Sequence, residues 1–483
     1  MSGPTRRLAV VGGGISGLAA AAEIVRRAAT SASSVEVLVL EQGSRLGGSV
    51  LTEDFEGARI NLGAESLLAR DAGTLETLST LGLCDEIVRP GTTSASIWNG
   101  RRLLPIPAGS ALGVPPHPLQ RDVVRSIGAM GALRASLEPL LTGSTPNADG
   151  PLGPFISRRL GSAVFRRLVD PLLGGVYAGP ATNLSIQAVA PQLLQALEKD
   201  RSLLRGLRQL QPPSNVESAP PNSPFLSLRG GLGDLVSALE ARLPSGSVRL
   251  GASVVELLAG PAGRAQLRIG AGPPLEVDGV VLALAAPGAA DVLSTISPQM
   301  SSQLRRQEYS SVATVALAYS DAAFPKGLTG SGFLVPRSPR RVVTACTFLD
   351  RKWPHLRQDG LTLLRVSAGS LGEEWVLGLD DTTLVSSVHK TLRTMLGVSE
   401  LPRAARVQRW QPALPQYRAG HVAWRESLQE QALALPVPAV LTGAAYLGVG
   451  LAACLREGAA AGQRLWDAVE RSARARSNPA SGA

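Results

Sequence analysis

The residues that best suggest chemistry lie near the start of the chain, in the pattern Gly12-x-Gly14-x-x-Gly17. This pattern follows a short apolar strand and opens an alanine-rich helix. Chemistry at such a turn needs glycine, because the backbone must bend tightly and approach a pyrophosphate closely. Free N–H groups at the helix N-terminus then stabilise the phosphate charge. The pattern therefore predicts a dinucleotide-binding turn.

An acidic residue supports this prediction. Glu41 closes the next apolar strand, at roughly the 20-residue spacing where the fingerprint places its carboxylate. There the carboxylate accepts hydrogen bonds from both hydroxyls of an adenosine ribose. Its charge would repel a 2′-phosphate, which argues against NADP. FAD and NAD both stay open on these residues alone.

The sequence shows no second constellation of the kind that acid–base or metal chemistry requires. The cysteines are far apart and lack CxxC spacing, so they predict neither a disulfide framework nor a zinc site, and they favour a reducing compartment. The histidines have no matching carboxylates nearby, and each is predicted to be structural or solvated. These residues are Cys84, Cys346, Cys454, His117, His355, His389 and His421. A bound cofactor would supply the chemistry instead.

Strands and helices in three groups must position these residues. Apolar runs predict a first strand, helix and strand over 8–11, 18–28 and 35–40, with further strands over 248–257 and 277–285. A mostly helical block lies between 120 and 199, and a proline-rich linker follows over 211–224. The strands 312–319, 332–335, 341–347 and 361–368 predict a second, more antiparallel sheet, with a helix over 382–395. The last helix, over 453–469, precedes a tail, 471–483, predicted to be disordered.

Composition excludes several classes of protein. The chain has 483 residues, 44% of them hydrophobic and 18% charged, which is a globular and not a disordered composition. The net charge of +10 comes from arginines spread along the chain, since only four residues are lysines. Dispersed charge argues against a nucleic-acid patch and favours, at most, an anionic membrane or a polycarboxylate substrate. Without a signal peptide or membrane span, we expect a cytoplasmic or peripheral membrane protein.

Further motifs resemble a known family. Arg45-Leu-Gly-Gly48, directly after Glu41, resembles the FAD-dependent oxidases and desaturases of the amine oxidase superfamily, and not the nicotinamide dehydrogenases. Within that superfamily, the chain resembles the oxygen-dependent porphyrinogen oxidases, and most of all the actinobacterial coproporphyrinogen III oxidases. The matching segments run over nearly the whole chain: 170–179, 228–232, 332–336, 351–353, 363–367, 415–421 and 443–451.

The resemblance implies a fold and a cofactor site. The fold is α/β (α+β overall), with a Rossmann-like FAD/NAD(P)-binding domain of the amine oxidase type, a mixed-sheet substrate domain and a helical block. The implied FAD-binding residues are Gly12, Gly13, Gly14, Ile15, Ser16, Gly17, Glu41, Gln42, Arg45, Gly48, Ser49, Gly63, Ala64, Glu65, Ser66, Val254, Trp410, Gly443, Val449, Gly450 and Leu451. The helix after Gly450 would direct its positive end at the flavin edge where negative charge develops on reduction.

The resemblance also implies residues that face the substrate. Gly174 and Gly175 would let a macrocycle approach closely, and Leu334 would help to sandwich it. Protoporphyrinogen-type enzymes often carry an arginine just before the aromatic residue of the strand that contains Trp98, and this chain has none there. Arg365 and Lys352 are the predicted substitutes for binding substrate carboxylates.

The implied activity is oxidation of coproporphyrinogen III to coproporphyrin III by O₂ in haem biosynthesis. Three alternatives stay open: protoporphyrinogen IX as substrate, an amine or carotenoid as substrate, and a non-catalytic binding module on the same fold. The predicted domains are an FAD domain (1–92, 225–300 and 403–470), a substrate domain (93–119 and 301–402) and a helical block (120–210), for which the sequence leaves contact with a membrane open. The predicted partners are porphyrinogen and O₂, not nucleic acid; the sequence leaves a homo-oligomer open.

Overall fold

The computed structural model describes residues 5–31, 33–69, 72–141, 146–211, 223–324, 326–338 and 340–477. Its strands are β1 (Arg6–Val11), β2 (Val35–Leu40), β3 (Thr52–Phe55), β4 (Ala58–Asn61), β5 (Leu67–Leu68), β6 (Ile87–Val88), β7 (Ala95–Trp98), β8 (Leu103–Pro105), β9 (Phe225–Leu228), β10 (Val248–Arg249), β11 (Val254–Ala259), β12 (Ala265–Ile269), β13 (Leu275–Val277), β14 (Gly279–Leu282), β15 (Tyr309–Ser320), β16 (Gly332–Leu334), β17 (Val343–Phe348), β18 (Leu361–Ala368), β19 (Ala404–Pro415) and β20 (Ala439–Leu441).

Helices connect and cover these strands. They are α1 (Ile15–Thr30), α2 (Ala72–Thr80), α3 (Arg121–Ile127), α4 (Ala129–Ser136), α5 (Leu152–Leu160), α6 (Ser162–Val164), α7 (Asp170–Tyr177), α8 (Ile186–Val189), α9 (Pro191–Lys199), α10 (Leu203–Leu210), α11 (Gly233–Glu240), α12 (Ala286–Val292), α13 (Pro298–Leu304), α14 (Leu349–Lys352), α15 (Asp381–Leu396), α16 (His421–Leu433) and α17 (Leu451–Ser477). Of the helices in the described ranges, none is long and apolar enough to cross a membrane.

A five-stranded parallel sheet forms the first layer, in the order β10-β2-β1-β14-β20. Its strands are nearly continuous apolar runs because both faces are covered. The first helix, α1, lies against the last, α17, and the two backbones approach closely. A Cβ on Gly458 would lie 2.3 Å from the carbonyl oxygen of Ser16, and one on Gly462 would lie 2.4 Å from that of Ala20.

A seven-stranded mixed sheet forms the second layer, in the order β19-β15-β18-β17-β16-β7-β8. Its two faces have different neighbours, because side chains alternate along each strand. One face carries Phe333, Cys346 and Val366 into a buried core that also contains apolar residues of α15. The other face carries Leu334 and Arg365.

The segment from α3 to α10 is helical and has its own apolar core, which includes Val123, Ile156, Leu168 and Leu207. A π-helical stretch, Phe165–Val169, joins α6 to α7. Residues outside the block also pack on this core, including Leu334 of the second sheet and Val449 of the loop before α17. The helical block therefore contacts the second sheet and the loop before α17.

The predicted fold class is confirmed, while two boundaries differ from the prediction. Residues 404–415, assigned to the cofactor domain, form β19 and pair with β15 in the seven-stranded sheet. The long β15 pairs with β18 along one edge and with β19 along the other. The predicted tail begins too early, because α17 continues through Ser477. Most of the predicted linker, 212–222, and residues 478–483 lie outside the described residues. The remaining domain limits stay a prediction.

Candidate cofactor and substrate site

The glycine turn between β1 and α1 has two kinds of glycine. A Cβ on Gly12 would lie 2.4 Å from the carbonyl oxygen of Ala283, and one on Gly17 would lie 1.9 Å from that of Gly12. These two glycines therefore serve close backbone packing. At Gly14 a Cβ would have only the Cα of Gly48 within 4.0 Å, so this glycine leaves open space at the helix N-terminus.

That open space has the properties of a phosphate site. Gly14 precedes α1 without a side-chain cap, and the first turn contains no acidic residue. The N–H groups of this turn, which includes Ile15 and Ser16, carry the positive end of the helix dipole. Gly48 lies on the opposite side of the space, where Gly47 bridges to Gly14. The residues present fit a dinucleotide pyrophosphate.

The Glu41 side chain lies at the carboxyl end of β2, beside the glycine turn. Its two oxygens accept hydrogen bonds from the N–H groups of Gly13 and Gly43, each at 2.7 Å. Because a carboxylate offers about four acceptor sites, these bonds leave capacity for ribose hydroxyls. A later segment of the same chain also reaches this place, because the N–H of Ala252 donates to the Glu41 carbonyl at 2.9 Å. Val254, predicted to meet the adenine, follows two residues later at the start of β11.

Arg45 stabilises the loop that faces the glycine turn. Its guanidinium donates to the carbonyl oxygens of Leu46, Val50 and Gly48, at 3.0, 2.8 and 2.7 Å. The side chain therefore stabilises its own loop through these three bonds. Its predicted contribution to phosphate binding stays a prediction. Ser49, in the same loop, accepts a hydrogen bond at its carbonyl from the N–H of Ala64, at 3.0 Å.

The loop 443–450 joins β20 to α17 and contains the residues predicted to lie beside the flavin ring. Gly443 and Gly448 have φ values of 125° and 128°, which favour glycine. The buried hydroxyl of Tyr417 fixes this loop, because it accepts from the N–H of Gly448 at 2.8 Å and donates to the carbonyl of Ala444. Gly450 faces open space immediately before Leu451, the first residue of α17.

A second turn, residues 62–66, connects the two sheets. The Nε1 of Trp410, on β19, donates to the carbonyl of Leu62 at 3.2 Å. The guanidinium of Arg365, on β18, donates to the carbonyl of Gly63 at 2.5 Å. Gly63 is required here, because a Cβ would lie 1.8 Å from the carbonyl oxygen of Ser49. Trp410 and Gly63, both predicted near the flavin, are therefore in contact.

The Glu65 side chain leaves this turn and enters a buried cluster. It accepts hydrogen bonds from Lys352 at 2.7 Å, Trp353 at 3.0 Å, Thr347 at 3.2 Å and Arg365 at 3.4 Å. Burial alone would raise the pKa of Glu65, but the charges of Lys352 and Arg365 outweigh burial and lower the pKa to about 2. Glu65 is therefore an anion at neutral pH and not a proton donor.

The residues predicted to face the substrate fall into two groups. Gly175 contacts Leu334, whose Cδ2 lies 2.9 Å from the place of a Gly175 Cβ, and Gly174 adjoins Gly175 on α7. Lys352 and Arg365 instead lie in the cluster with Glu65. The structure thus brings the two basic residues together with a residue predicted to bind the cofactor. Gln42 is exposed beside Glu41, and Ser66 directly follows Glu65.

Several contacts at this site were not predicted from the sequence. The segment Pro415–His421 matches a family motif, which predicts no contact for its side chains, yet Gln416 donates to the Tyr177 carbonyl at the end of α7 at 2.7 Å. His421 stacks on Tyr417 with ring centroids 3.9 Å apart, and burial lowers its pKa to about 4. The contacts of Trp353 and Thr347 are not predicted either, because nothing near them in the sequence indicates that Glu65 is their partner. Within the described ranges, no cluster of residues suits a metal ion.

Comparison with known proteins gives a consistent result. Residues 15–465 match the sequence profile of the family described as flavin containing amine oxidoreductase. The chain is 32% identical over 464 residues to a coproporphyrinogen III oxidase of Bacillus subtilis, covering 95% of this chain and 98% of that protein. It is 34% identical over 461 residues to a coproporphyrinogen III oxidase of Mycobacterium leprae, covering 93% of this chain and 96% of that protein.

A protoporphyrinogen oxidase of Bos taurus is also similar, at 31% identity over 491 residues, covering 95% of this chain and 98% of that protein. Among solved structures, one from Exiguobacterium sp. 255-15, assigned as a protoporphyrinogen oxidase, has a TM-score of 0.84 at 30% identity and covers 97% of this chain and 99% of that chain. The family description and the dinucleotide cradle agree on FAD as the cofactor. The chain therefore belongs to the flavin containing amine oxidoreductase family.

Proposed function

We propose that this protein oxidises coproporphyrinogen III to coproporphyrin III with O₂ as the electron acceptor. The observation that carries the proposal is the near full-length similarity to coproporphyrinogen III oxidases. The match covers 98% of the Bacillus subtilis protein. The substrate loses six hydrogens in three two-electron rounds, and three O₂ become three H₂O₂. When bound, FAD supplies the acceptor for each hydride and the electrons for O₂.

The residues of this chain would bind and orient the substrate. Leu334 and Gly175 form an apolar contact that can support one face of a tetrapyrrole, and Val449 packs on the same helical core as Leu334. This arrangement supports a dry site, in which water does not compete for the reacting carbon. The charged cluster at Glu65 lies on the side of the turn that faces β17 and β18.

The test is an aerobic assay with chemically reduced substrates. We expect purified protein with FAD to convert coproporphyrinogen III into a fluorescent porphyrin, with three H₂O₂ per porphyrin, faster than protoporphyrinogen IX. A clear preference for protoporphyrinogen IX, which the Bos taurus relative supports, would overturn the substrate but not the family. Protein that binds FAD yet turns over neither compound would support the non-catalytic alternative.

We also propose that the helical block contacts an anionic membrane from the cytoplasmic side. Exposed apolar side chains recur on α4 and beyond at helical spacing, and include Met130 at 78% exposure, Leu133 at 50% and Leu140 at 78%. Exposed arginines adjoin this face: Arg167 lies near Gly128, and the carbonyl of Arg158 bonds Arg134 of α4. An apolar face beside arginines suits peripheral binding to acidic lipids. A second copy on this face is the alternative occupant.

A further inference from the structure

The buried cluster around Glu65 has one more positive charge than negative charges. It contains one carboxylate and two cations, Lys352 and Arg365, and their side chains are only 11%, 20% and 14% exposed. Across the described part of the chain, neither cation forms an ion pair with a second carboxylate. The cluster therefore carries a net charge of +1 in a largely buried place. Such a charge is costly unless an anion balances it.

The two cations differ in the N–H groups that remain available to an additional anion. Arg365 is held in place, because its terminal nitrogens donate to Glu65 and to the carbonyl oxygens of Gly63 and Leu62. Its Nε has no hydrogen-bond partner, but this atom is fully buried, so an incoming anion does not reach it. Lys352 has three N–H groups and donates one of them, to Glu65 at 2.7 Å. Its ammonium lies 5.3 Å from the ring centroid of Trp353 and 6.0 Å from that of Phe225. Lys352 therefore is the cation that can receive an additional anion.

The sheet register places this cluster close to the predicted substrate contact. Leu334 pairs with Ala345, and Gly332 pairs with Thr347, which itself pairs with Arg365. The row that contains Leu334 and the row that contains Arg365 are therefore two residues apart on the same face of the sheet. Two residues along a strand span about 7 Å. A propionate side chain on a ring that rests against Leu334, followed by a charge-assisted hydrogen bond of about 2.8 Å, covers that distance.

We propose that Lys352 binds one carboxylate of the tetrapyrrole substrate, and that Glu65 and Arg365 are positioning residues that hold its ammonium. The inference rests on the proposed function, because it takes the substrate to be a polycarboxylate porphyrinogen. One carboxylate neutralises the cluster and forms a charge-assisted hydrogen bond. The predicted carboxylate-binding role of Arg365 is thereby replaced by a supporting role.

The experiment measures binding, not turnover. FAD-loaded protein is titrated with coproporphyrin III and, separately, with its tetramethyl ester, which has the same ring and no carboxylate. We expect Lys352→Met to weaken binding of the free acid about tenfold, the effect of losing one ion pair, and to leave ester binding unchanged. Lys352→Arg should retain most of the affinity for the free acid. The matched control is Lys390→Met, an exposed lysine of α15, which should bind both compounds like the wild type.

Three results would overturn the inference: unchanged binding of the free acid by Lys352→Met, equal loss of acid and ester, or a loss of FAD affinity in place of porphyrin affinity. The last would mean that the missing anion belongs to the cofactor. If Lys352→Met does not fold, the double variant Glu65→Gln/Lys352→Met keeps the net charge of +1 without the ammonium, and it must bind the free acid weakly. Wild-type protein that binds coproporphyrin III but oxidises no porphyrinogen would contradict the proposed function alone.

Discussion

At the scale of single residues, Glu65 connects several segments of the chain. It is predicted from the sequence only as part of a flavin-proximal turn, and the structure shows that four side chains donate to it. Those donors come from β17, β18, α14 and the residue directly after α14, so this one carboxylate joins the turn after β4 to the second sheet. An ion pair with so many partners contributes to stability chiefly because breaking it leaves a buried charge uncompensated.

Glu65 also predicts how stability depends on pH. The pKa of its carboxyl is lowered to about 2 in the folded protein from 4.5, so its stabilisation is complete above pH 4.5 and is lost as pH falls towards 2. A shift of this size corresponds to on the order of 3 kcal/mol. We expect Glu65→Gln to be less stable than wild type by about that amount at pH 7, and the difference to shrink between pH 4.5 and pH 3. Urea unfolding of both proteins across this range measures it.

The matched control for that measurement is Glu53→Gln. Glu53 pairs with Arg406 at 2.7 Å on the surface, where water weakens the interaction. Its loss should change stability by well under 1 kcal/mol. A Glu65→Gln deficit that is the same at every pH would show that the carboxylate is not held as an anion in the folded protein.

At the scale of elements, the segment Pro415–His421 links the predicted substrate helix to the predicted flavin loop. Gln416 bonds the carbonyl of Tyr177, and its side chain occupies the space in which a Cβ of Gly179 would lie. The next residue, Tyr417, bonds both ends of the segment from Ala444 to Gly448. Two adjacent residues therefore connect the end of α7 to the loop before α17.

Removal of the Tyr417 hydroxyl tests this connection. Tyr417→Phe leaves the partly buried N–H of Gly448 and carbonyl of Ala444 without this partner, which should cost about 1 to 2 kcal/mol. Because the freed loop is predicted to lie beside the flavin, we expect FAD to bind about tenfold more weakly and the visible flavin spectrum to shift. Titration of the apoprotein with FAD measures both effects.

Tyr319→Phe provides the comparison for that variant. The Tyr319 hydroxyl bonds His389 at 3.0 Å in the core behind the second sheet, away from the loop. Its loss should lower the melting temperature and leave FAD affinity unchanged. Equal FAD affinity in both variants would mean that Tyr417 stabilises the fold without positioning the loop.

Elements differ in how far the sequence can predict them. The strands Val35–Leu40 and Leu361–Ala368 are predicted with the bounds that the structure has, because each is rich in apolar residues and lies between clear breaks. Partners distant in sequence are not predictable in this way. Nothing local to Lys352 indicates that Glu65 will occupy one of its N–H groups, and nothing local to Tyr417 indicates a bond to Gly448. Periodicity reports which side of an element is buried and does not report what covers it.

At the scale of the whole molecule, the net charge of +10 matters less than where apolar surface is exposed. We expect the protein to sediment with vesicles that contain phosphatidylglycerol and much less with pure phosphatidylcholine. The double variant Met130→Ser/Leu140→Ser removes two exposed apolar side chains of the helical block, and it should reduce binding to the acidic vesicles by at least about tenfold.

Leu433→Ser is the control for the vesicle experiment. Leu433 is 79% exposed on α16, outside the helical block, so its loss should not change vesicle binding. If the double variant binds vesicles like the wild type, the exposed face has another occupant. A concentration-dependent dimer in light scattering that the double variant abolishes would identify that occupant as a second copy.

The contact between α1 and α17 has a consequence for how the protein is made. The helix that packs on α1 through Gly458 and Gly462 lies far from it in sequence, so it is translated much later than α1. The fifth strand of the parallel sheet, β20, is likewise translated well after β1 and β2. A nascent chain therefore holds α1 without its partner while the segments between them are made. We expect the dinucleotide cradle to be complete only once α17 has been translated, and a truncation that removes α17 to weaken FAD binding as a change in the first turn does.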